Sequence, residues 1–150
     1  MADKKKADLK KDLSGGALLD TSVLVDGRVL SIAKSGFLPE KIIIPKAVLA
    51  ELHLISDNKD SLKRQRGRRG LDVVNALRKE RSLKILTPAI SSKTNLVDKI
   101  LLSFAKSNKL KLVTLDFNLN KLAKAEGVEV LNINELVEAV KMDLLPGESF

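Results

Sequence analysis

The chain has 150 residues and is 44% hydrophobic, which is enough for one sizeable core and too short for two ordinary domains. Its 27 Lys and Arg outnumber its 19 Asp and Glu, and the formal net charge of +8 favours a polyanionic partner. The absence of cysteine and the single histidine exclude disulfides, thiolate zinc sites and metal sites built from several imidazoles.

The beginning and the end of the chain are predicted to lie outside the fold. Residues 1–16 are rich in lysine and end in Ser-Gly-Gly, which predicts a flexible basic lead. We predict one folded domain over residues 17–143. Residues 144–150 are predicted to lead out of the domain. No apolar run reaches the roughly 18 residues of a membrane span, so we expect the chain itself not to insert into a membrane and to be cytoplasmic.

Short apolar runs alternate with longer segments of helical periodicity along the domain. The predicted strands cover residues 17–19, 41–44, 83–86, 111–114 and 128–131, and the predicted helices cover 21–35, 46–56, 60–81, 95–107, 118–126 and 134–142. This alternation predicts an α/β fold with a parallel sheet. Because the strand runs are apolar on both faces, helices should cover both sides of the sheet.

Two acids follow predicted strands. Asp20 comes directly after the first strand and Asp116 follows the fourth, which places both at the edge where open α/β sheets carry their sites. Each acid is also suited to cap the helix that it precedes, so neither is decisive alone.

Two further acids interrupt the apolar stripes of predicted helices. Glu51 has Val48 and Leu54 three residues before and after it, and Asp98 has Leu101 three residues later. A carboxylate facing a core is costly unless it is paired, protonated or bound to a metal. The alternative is that each acid lies at the edge of the core-facing surface and reaches water.

Convergence of four carboxylates in one cleft predicts a metal site. Each close pair would repel by about 4 kcal/mol at an effective dielectric constant near 20. A divalent ion relieves that repulsion, and ligands that are all oxygen atoms favour Mg²⁺ or Mn²⁺ over zinc or copper.

A strongly basic segment lies at the start of the third predicted helix. Its cations, which we predict to contact nucleic acid, are Lys63, Arg64, Arg66, Arg68 and Arg69. They spread around the helix axis, which predicts a protruding or mobile helix start; the alternative is a solvated charged face without a partner. Only 3% of the residues are aromatic, so phosphates should carry most of the binding.

Three segments together resemble the PIN domain of the bacterial PIN-TRAM proteins. They are residues 18–28 (LLDTSVLVDGR), residues 66–72 (RGRRGLD) and residues 114–121 (TLDFNLNK). The resemblance runs from about residue 17 to residue 147. It implies a Rossmann-like α/β/α sandwich with five parallel strands, and a divalent-metal-dependent endoribonuclease that hydrolyses single-stranded RNA with a metal-activated water.

The resemblance also implies roles for individual residues. The catalytic, metal-binding acids of the family correspond to Asp20, Glu51, Asp98 and Asp116. Ser22 and Thr114 correspond to supporting hydroxyls, whereas Leu115 departs from the asparagine that the family often has beside the fourth acid.

The Asp-Gly-Arg segment of the first motif carries two further predicted residues. Asp26 is interpreted as a supporting acid of the site, or alternatively as a turn residue. Arg28 is predicted to contact nucleic acid.

The family resemblance leaves a second function open. The alternative is a catalytically weak or inactive PIN module that acts as an RNA-binding or regulatory domain. PIN-TRAM proteins commonly carry membrane helices before the PIN domain and an RNA-binding TRAM domain after it. The resemblance therefore implies that residues 144–150 begin a linker and that the full-length protein is anchored to a membrane. Homodimers are common among PIN domains, although no patch in this sequence demonstrates one.

Overall fold

Five short parallel strands form one sheet in the computed structural model, which describes residues 13–90 and 97–144, without the side chains of 140–144. The strands are β1 (Ala17–Leu19), β2 (Lys41–Ile43), β3 (Lys84–Leu86), β4 (Lys111–Thr114) and β5 (Val130–Asn132). The helices are α1 (Thr21–Asp26), α2 (Val29–Lys34), α3 (Lys46–Ser56), α4 (Ser61–Lys79), α5 (Val97–Asn108), α6 (Phe117–Ala125) and α7 (Ile133–Leu144). The strand order is β3-β2-β1-β4-β5, and every pairing is parallel.

The predicted fold class is confirmed. Helices cover both sides of the sheet, with α4 packing against α1, α2 and α3, while α5 and α6 contact β4. The central strand β1 pairs with β2 and β4, so that Leu18 is opposite both Ile43 and Leu112. All three side chains are fully buried, which explains why the strands are apolar on both faces.

The long first helix of the prediction is two helices in the structure. α1 ends at Gly27, whose φ of 88° lies in the left-handed region, and α2 starts two residues later. A glycine adopts this conformation without the steric cost that other residues have. The prediction of one helix over residues 21–35 was wrong because the apolar periodicity continues across the break.

The folded domain starts earlier than predicted. Residues 1–12 of the predicted lead lie outside the described residues, but Leu13 is 4% exposed and belongs to the hydrophobic core. The Gly15 N–H donates to the Lys109 carbonyl at 3.2 Å, which ties this segment to the loop before β4. The boundary at residue 17 was therefore placed too late. At the other end, α7 continues to Leu144, and residues 145–150 lie outside the described residues.

The middle of helix α4 packs closely on α3. Gly67 and Gly70 are buried at this contact, and a Cβ on Gly67 would lie 2.3 Å from the Ser56 backbone nitrogen. Small residues let two helix backbones approach closely, so the side that appears polar in sequence holds a buried face. The six residues before Gly67 are exposed apart from the half-buried Arg64. The predicted protruding or mobile start concerns these residues, which lie outside the contact, and it stays a prediction.

Within the described ranges, none of the helices combines the length and the apolar character that crossing a membrane requires.

Candidate active site

The direction in which successive strands are added to the sheet reverses once, and the point of reversal lies between β1 and β4. The strands after β1 are added on one side, as β2 and β3, and then on the other, as β4 and β5. At such a switch point, neighbouring strands lead into segments on opposite faces, which opens a cleft at their carboxyl ends. Asp20 follows β1 directly, and Asp116 follows β4 after one residue. Both predicted strand-end acids therefore lie at this edge.

Asp20 is almost completely buried, with 5% of its surface exposed. Its Oδ1 accepts hydrogen bonds from the Ser22 hydroxyl at 2.6 Å and from the Val23 N–H at 3.3 Å, and the second bond caps α1. Its Oδ2 accepts a hydrogen bond from the Thr114 hydroxyl at 2.6 Å. Asp20 is thus a helix cap, as the alternative interpretation held, and it also joins β1 to β4.

The hydroxyls of Ser22 and Thr114 are themselves oriented by backbone groups. Ser22 Oγ accepts a hydrogen bond from the Leu115 N–H at 3.0 Å, and Thr114 Oγ1 accepts one from the Asp116 N–H at 2.9 Å. Because each hydroxyl receives a backbone proton, its own single proton is directed at Asp20. Leu115 thus takes part in orienting Ser22 through its backbone N–H, which does not depend on the side chain at this position.

The acids of this edge influence each other's protonation. Burial raises the pKa of Asp20 above its ordinary value; the hydrogen bonds from Ser22, Thr114 and the backbone oppose this shift, and the charge of Asp116 adds to it. Partial loss of hydration at the cleft also raises the pKa of Asp98, although its side chain is largely exposed, and the charge of Asp116 again adds to the effect. Asp116 is thus electrostatically coupled to Asp20 and to Asp98, as expected of carboxylates that share one cleft.

Asp116 is held at the start of α6. Its Oδ1 accepts hydrogen bonds from the N–H groups of Asn118 at 2.8 Å and Leu119 at 3.2 Å, which cap the helix. Its Oδ2 has no hydrogen-bond partner among residues 13–90 and 97–144. Oδ1 therefore fixes the side chain at the start of α6.

Glu51 and Asp98 come to the same cleft from two helices. Glu51 on α3 is half-buried, and Asp98 in the first turn of α5 is exposed. The predicted stripe around Glu51 is only partly correct, because Val48 is buried whereas Leu54 is 74% exposed. Both acids lie at the edge of a buried face, which was the alternative interpretation, and this edge is where the cleft opens.

One cleft of about 220 Å³ brings the four predicted acids together. It is lined by Asp20, Thr21, Ser22, Glu51, Val97, Asp98, Leu101 and Asp116. Within the described ranges, the ion pairs involve none of the four acids. Over the same ranges, no three Asp, Glu or His side chains lie close enough to hold one ion between them. The carboxylate set thus matches a hard divalent ion in chemistry, with a spacing wider than that of a closed metal site.

Thr21 is a lining residue that the sequence interpretation missed. Its Oγ1 is buried and has no hydrogen-bond partner in the described part of the chain. A buried hydroxyl without a partner is costly, which is typical of a position where a ligand or an ordered water binds. The available signal was its position next to Asp20, in the turn that enters α1.

Asp26 does not line the cleft. Its Oδ2 accepts hydrogen bonds from Arg28 Nε at 2.8 Å and from the Arg28 N–H at 3.1 Å, and Arg28 Nη2 donates to Asn134 Oδ1 at 2.8 Å. Partial burial raises the pKa of Asp26, but the hydrogen bonds and charge of Arg28 and the charge of Arg69 outweigh it, and the net shift is downward. The structure thus places Asp26 in a paired turn, the alternative that its sequence position left open.

The predicted basic contacts lie on the surface of α4. Lys63, Arg66, Arg68 and Arg69 are exposed, whereas Arg64 is half-buried and its Nη1 donates to the Asn58 carbonyl at 3.4 Å. Arg69 also lies beside the turn after α1, with its Cδ 3.8 Å from the position of a Cβ on Gly27. Contact with nucleic acid stays a prediction for all of these residues and for Arg28.

The fold and the cleft define a Rossmann-like α/β domain with an acidic site at its switch point. The family model described as PIN domain matches residues 17–125, and the chain belongs to that family. PIN domains are in general nucleases, and they typically use divalent metal ions.

The most informative relatives are PIN and TRAM-domain containing proteins. The chain is 47% identical over 132 residues to YacL of Bacillus subtilis, which covers 87% of this chain and 36% of the relative. It is 41% identical over 135 residues to TTHA0540 of Thermus thermophilus, covering 90% and 40%. The chain therefore spans two fifths or less of the length of these two relatives.

A solved structure supports the fold. It is a domain of a functionally unknown protein from Methanocaldococcus jannaschii DSM 2661, with a TM-score of 0.64 and 27% sequence identity. The match covers 79% of this chain and 91% of that chain.

Proposed function

We propose that the chain is a divalent-metal-dependent endoribonuclease that hydrolyses phosphodiester bonds in single-stranded RNA. The observation that carries the proposal is the common cleft of Asp20, Glu51, Asp98 and Asp116 at the switch point of the sheet. Membership of a family of nucleases gives the reaction class. Single-stranded RNA as the substrate class comes from the resemblance to PIN-TRAM proteins.

The four acids would hold Mg²⁺ or Mn²⁺. Their donor chemistry fits a hard ion, and the charge of Asp116, which raises the pKa of Asp20 and of Asp98, is the repulsion that a cation relieves. The chemistry that a divalent ion supplies there when bound is activation of water and stabilisation of charge on the phosphoryl oxygens.

The side chains of the cleft position the reacting groups. The hydroxyls of Ser22 and Thr114 hold both oxygens of Asp20, and the start of α6 holds Asp116. Val97 and Leu101 supply the apolar part of the cleft lining. The volume of about 220 Å³ is below the roughly 300–1,000 Å³ of sites for drug-sized ligands, and suits one phosphodiester group.

The charge distribution supports a nucleic-acid substrate. The formal net charge is +8, although the cleft itself is acidic, and exposed cations lie on α4. Phosphates outside the cleft would be attracted by these cations, while the scissile phosphate needs the metal to approach the carboxylates. Such a strand would be bound mainly through its backbone, with weak sequence preference.

The testing experiment incubates the 150-residue chain with single-stranded RNA and Mn²⁺ or Mg²⁺. We expect Asp20→Asn and Asp116→Asn to lower the cleavage rate by at least about a hundredfold, the loss typical of removing one group that stabilises the transition state. Asp26→Asn is the matched control, because it removes an acid of the same helix outside the cleft. Equal cleavage by all four proteins would point to a contaminating nuclease and would refute the mechanism.

The second candidate is a catalytically weak or inactive module that binds RNA or regulates a larger protein. The observation in its favour is that, of the described Asp, Glu and His residues, no three lie within reach of one ion. This function predicts RNA binding that Asp20→Asn leaves unchanged, together with no cleavage in Mn²⁺. Homodimerisation and anchoring of the full-length protein at the cytoplasmic face of a membrane stay predictions.

A further inference from the structure

Phe117 is an exposed aromatic residue beside the acidic cleft. Its side chain is 73% exposed, although the chain has only four phenylalanines and neither tryptophan nor tyrosine. It directly follows the cleft-lining Asp116, so the two Cα atoms are about 3.8 Å apart. An aromatic ring that is left in water forgoes the stabilisation of burial, and it can regain this stabilisation when a ligand covers it.

The start of α6 holds Phe117 in place. The Asp116 carboxylate accepts hydrogen bonds from the N–H groups of the two residues after Phe117, so the first helical turn is attached to the cleft-lining acid. Side chains on a helix lean towards its N-terminus. Phe117 is the first residue of α6, so we expect its ring to lie near the helix start, beside the carboxyl edge of the sheet.

We propose that Phe117 is a stacking platform for an unpaired base of the strand whose phosphate occupies the acidic cleft. The inference rests on the proposed function, because it takes the ligand to be a single-stranded nucleic acid. Stacking on an aromatic face requires a base that is free of its pairing partner and is tolerant of base identity. Phe117 thus selects single strands over duplexes, while the acids carry the chemistry.

A stacking contact makes a specific kinetic prediction. Because a base flanking the scissile bond is stacked both before and during the reaction, Phe117→Ala should raise KM by about tenfold and leave kcat close to that of the wild type. Phe117→Tyr and Phe117→Trp should restore the wild-type KM, since each keeps an aromatic face. Phe37→Ala is the control, because Phe37 is 69% exposed and lines a separate apolar pocket.

A binding experiment tests the stacking without relying on cleavage. Fluorescence anisotropy is measured with Ca²⁺ in place of Mn²⁺, since Ca²⁺ also takes oxygen ligands, with a single-stranded RNA and with an abasic strand of equal length and charge. We expect the wild type and Phe37→Ala to bind the normal strand about tenfold more tightly than the abasic strand. Phe117→Ala should bind both strands alike, at the affinity that the wild type has for the abasic strand. Thermal melting checks that each variant is folded.

The outcomes separate the two proposals. The stacking role is overturned if Phe117→Ala still binds the normal strand more tightly than the abasic strand, as the wild type does, or if it binds both strands more weakly by the same factor. A contact with a protein partner then becomes the better explanation of the exposed ring. If the wild type binds neither strand, stacking is overturned as well. If the base preference depends on Phe117 but Mn²⁺ gives no cleavage, the nuclease proposal alone fails. If cleavage depends on Asp20 but Phe117→Ala leaves KM unchanged, stacking alone fails.

Discussion

Helix α1 has an aspartate at each end, and the two carboxylates differ in their hydrogen-bond partners and in the charges around them. Asp20 at its start is buried, accepts hydrogen bonds from two hydroxyls and is close enough to Asp116 to be affected by its charge. Asp26 at its end is paired with Arg28 and lies near Arg69. The pKa of Asp20 is raised, chiefly by burial, whereas the pKa of Asp26 is lowered by its cationic neighbours despite some burial.

The difference shows that neighbours decide the role of an acid. An aspartate paired with arginine already has its counter-ion and has little need of a metal. An aspartate surrounded by hydroxyls and other acids has fixed oxygens and no described cation, which is the condition for binding a divalent ion. The two ends of one short helix thus separate an acidic reaction site from a basic surface suited to phosphates.

The largest expected effect is on the packing of α3 against α4, which supports both the acidic cleft and the basic surface. α4 carries Arg69 to the basic end, α3 carries Glu51 to the cleft, and Gly67 lies where the two helices touch. Gly67→Ala should lower the free energy of unfolding by about 3 kcal/mol, because the added Cβ meets backbone atoms of α3. Urea denaturation measures the loss.

Gly70→Ala is the control for this substitution. Its Cβ would meet Leu52 Cδ2 at 2.5 Å, the end of a side chain that can rotate away, so we expect a loss of about 1 kcal/mol. Alanine ordinarily stabilises a helix relative to glycine by up to about 1 kcal/mol, so a gain at Gly67 would contradict the close helix contact.

Metal binding in the acidic cleft should stabilise the domain. At a Mn²⁺ concentration of about one hundred times Kd, the free energy of unfolding of the wild type should rise by about 2.7 kcal/mol. Asp116→Asn should lose most of this gain, while Asp26→Asn should keep it. Thermal unfolding with and without Mn²⁺ measures the difference, and a full gain in Asp116→Asn would remove Asp116 from the ligand set.

In EDTA the same substitution should act in the opposite direction. An asparagine at position 116 would cap α6 as well as aspartate does, and the charge that raises the pKa values of Asp20 and Asp98 would be gone. A carboxyl group whose pKa is higher in the folded than in the unfolded protein destabilises the fold as it ionises. This loss of stability begins as the pH rises above the unfolded pKa. Asp116→Asn should therefore be at least as stable as the wild type at pH 7, and this advantage should disappear below about pH 4. Urea denaturation in EDTA at the two pH values measures the difference.

The exposed arginines of α4 should contribute salt-dependent binding of a single-stranded nucleic acid. If Arg66 and Arg69 each contact one phosphate, the double substitution to glutamine should reduce the slope of log affinity against log salt by about 1.4 for a single strand. The double substitution of Arg64 and Arg68 should have a smaller effect, since the Asn58 carbonyl already engages Arg64. Anisotropy titrations over a salt series measure both slopes, and equal slopes for all proteins would leave α4 a solvated surface.

The smallest expected effect is that of the Asp26–Arg28 pair. Because the folded pKa of Asp26 is lowered, its contribution to stability is present above the unfolded pKa of about 3.9 and is lost as the pH falls through the folded value. Asp26→Asn should therefore destabilise the domain by about 0.5 kcal/mol at pH 7, and by less at pH 3. Urea denaturation of both proteins at the two pH values measures this; a difference that does not change with pH would assign the effect to hydrogen bonding alone.

Local patterns in the sequence were sufficient for most of the framework. β1, β4 and α3 match their predicted bounds, and Asp20 and Asp116 follow their strands as predicted, because strand and cap signals lie within a few neighbouring residues. The break at Gly27 and the burial of Gly67 were missed, since the first depends on one backbone angle and the second on another helix. The exposure of Phe117 was missed for the same reason, because no neighbour in sequence reveals what covers a side chain.

The sequence by itself determined the parallel α/β class, which follows from the alternation of short apolar runs with helical periodicity. It also gave the four acids as candidates, without deciding between a shared site and separate capping or surface roles. Only the tertiary structure decided which groups meet. The strand order places β4 beside β1, and the Thr114 hydroxyl thereby reaches Asp20 across 94 residues of sequence. Such a contact depends on the pairing of distant strands, and this pairing made Asp20 part of the acidic cleft. Asp26, at the other end of the same short helix, forms an ion pair with Arg28 instead.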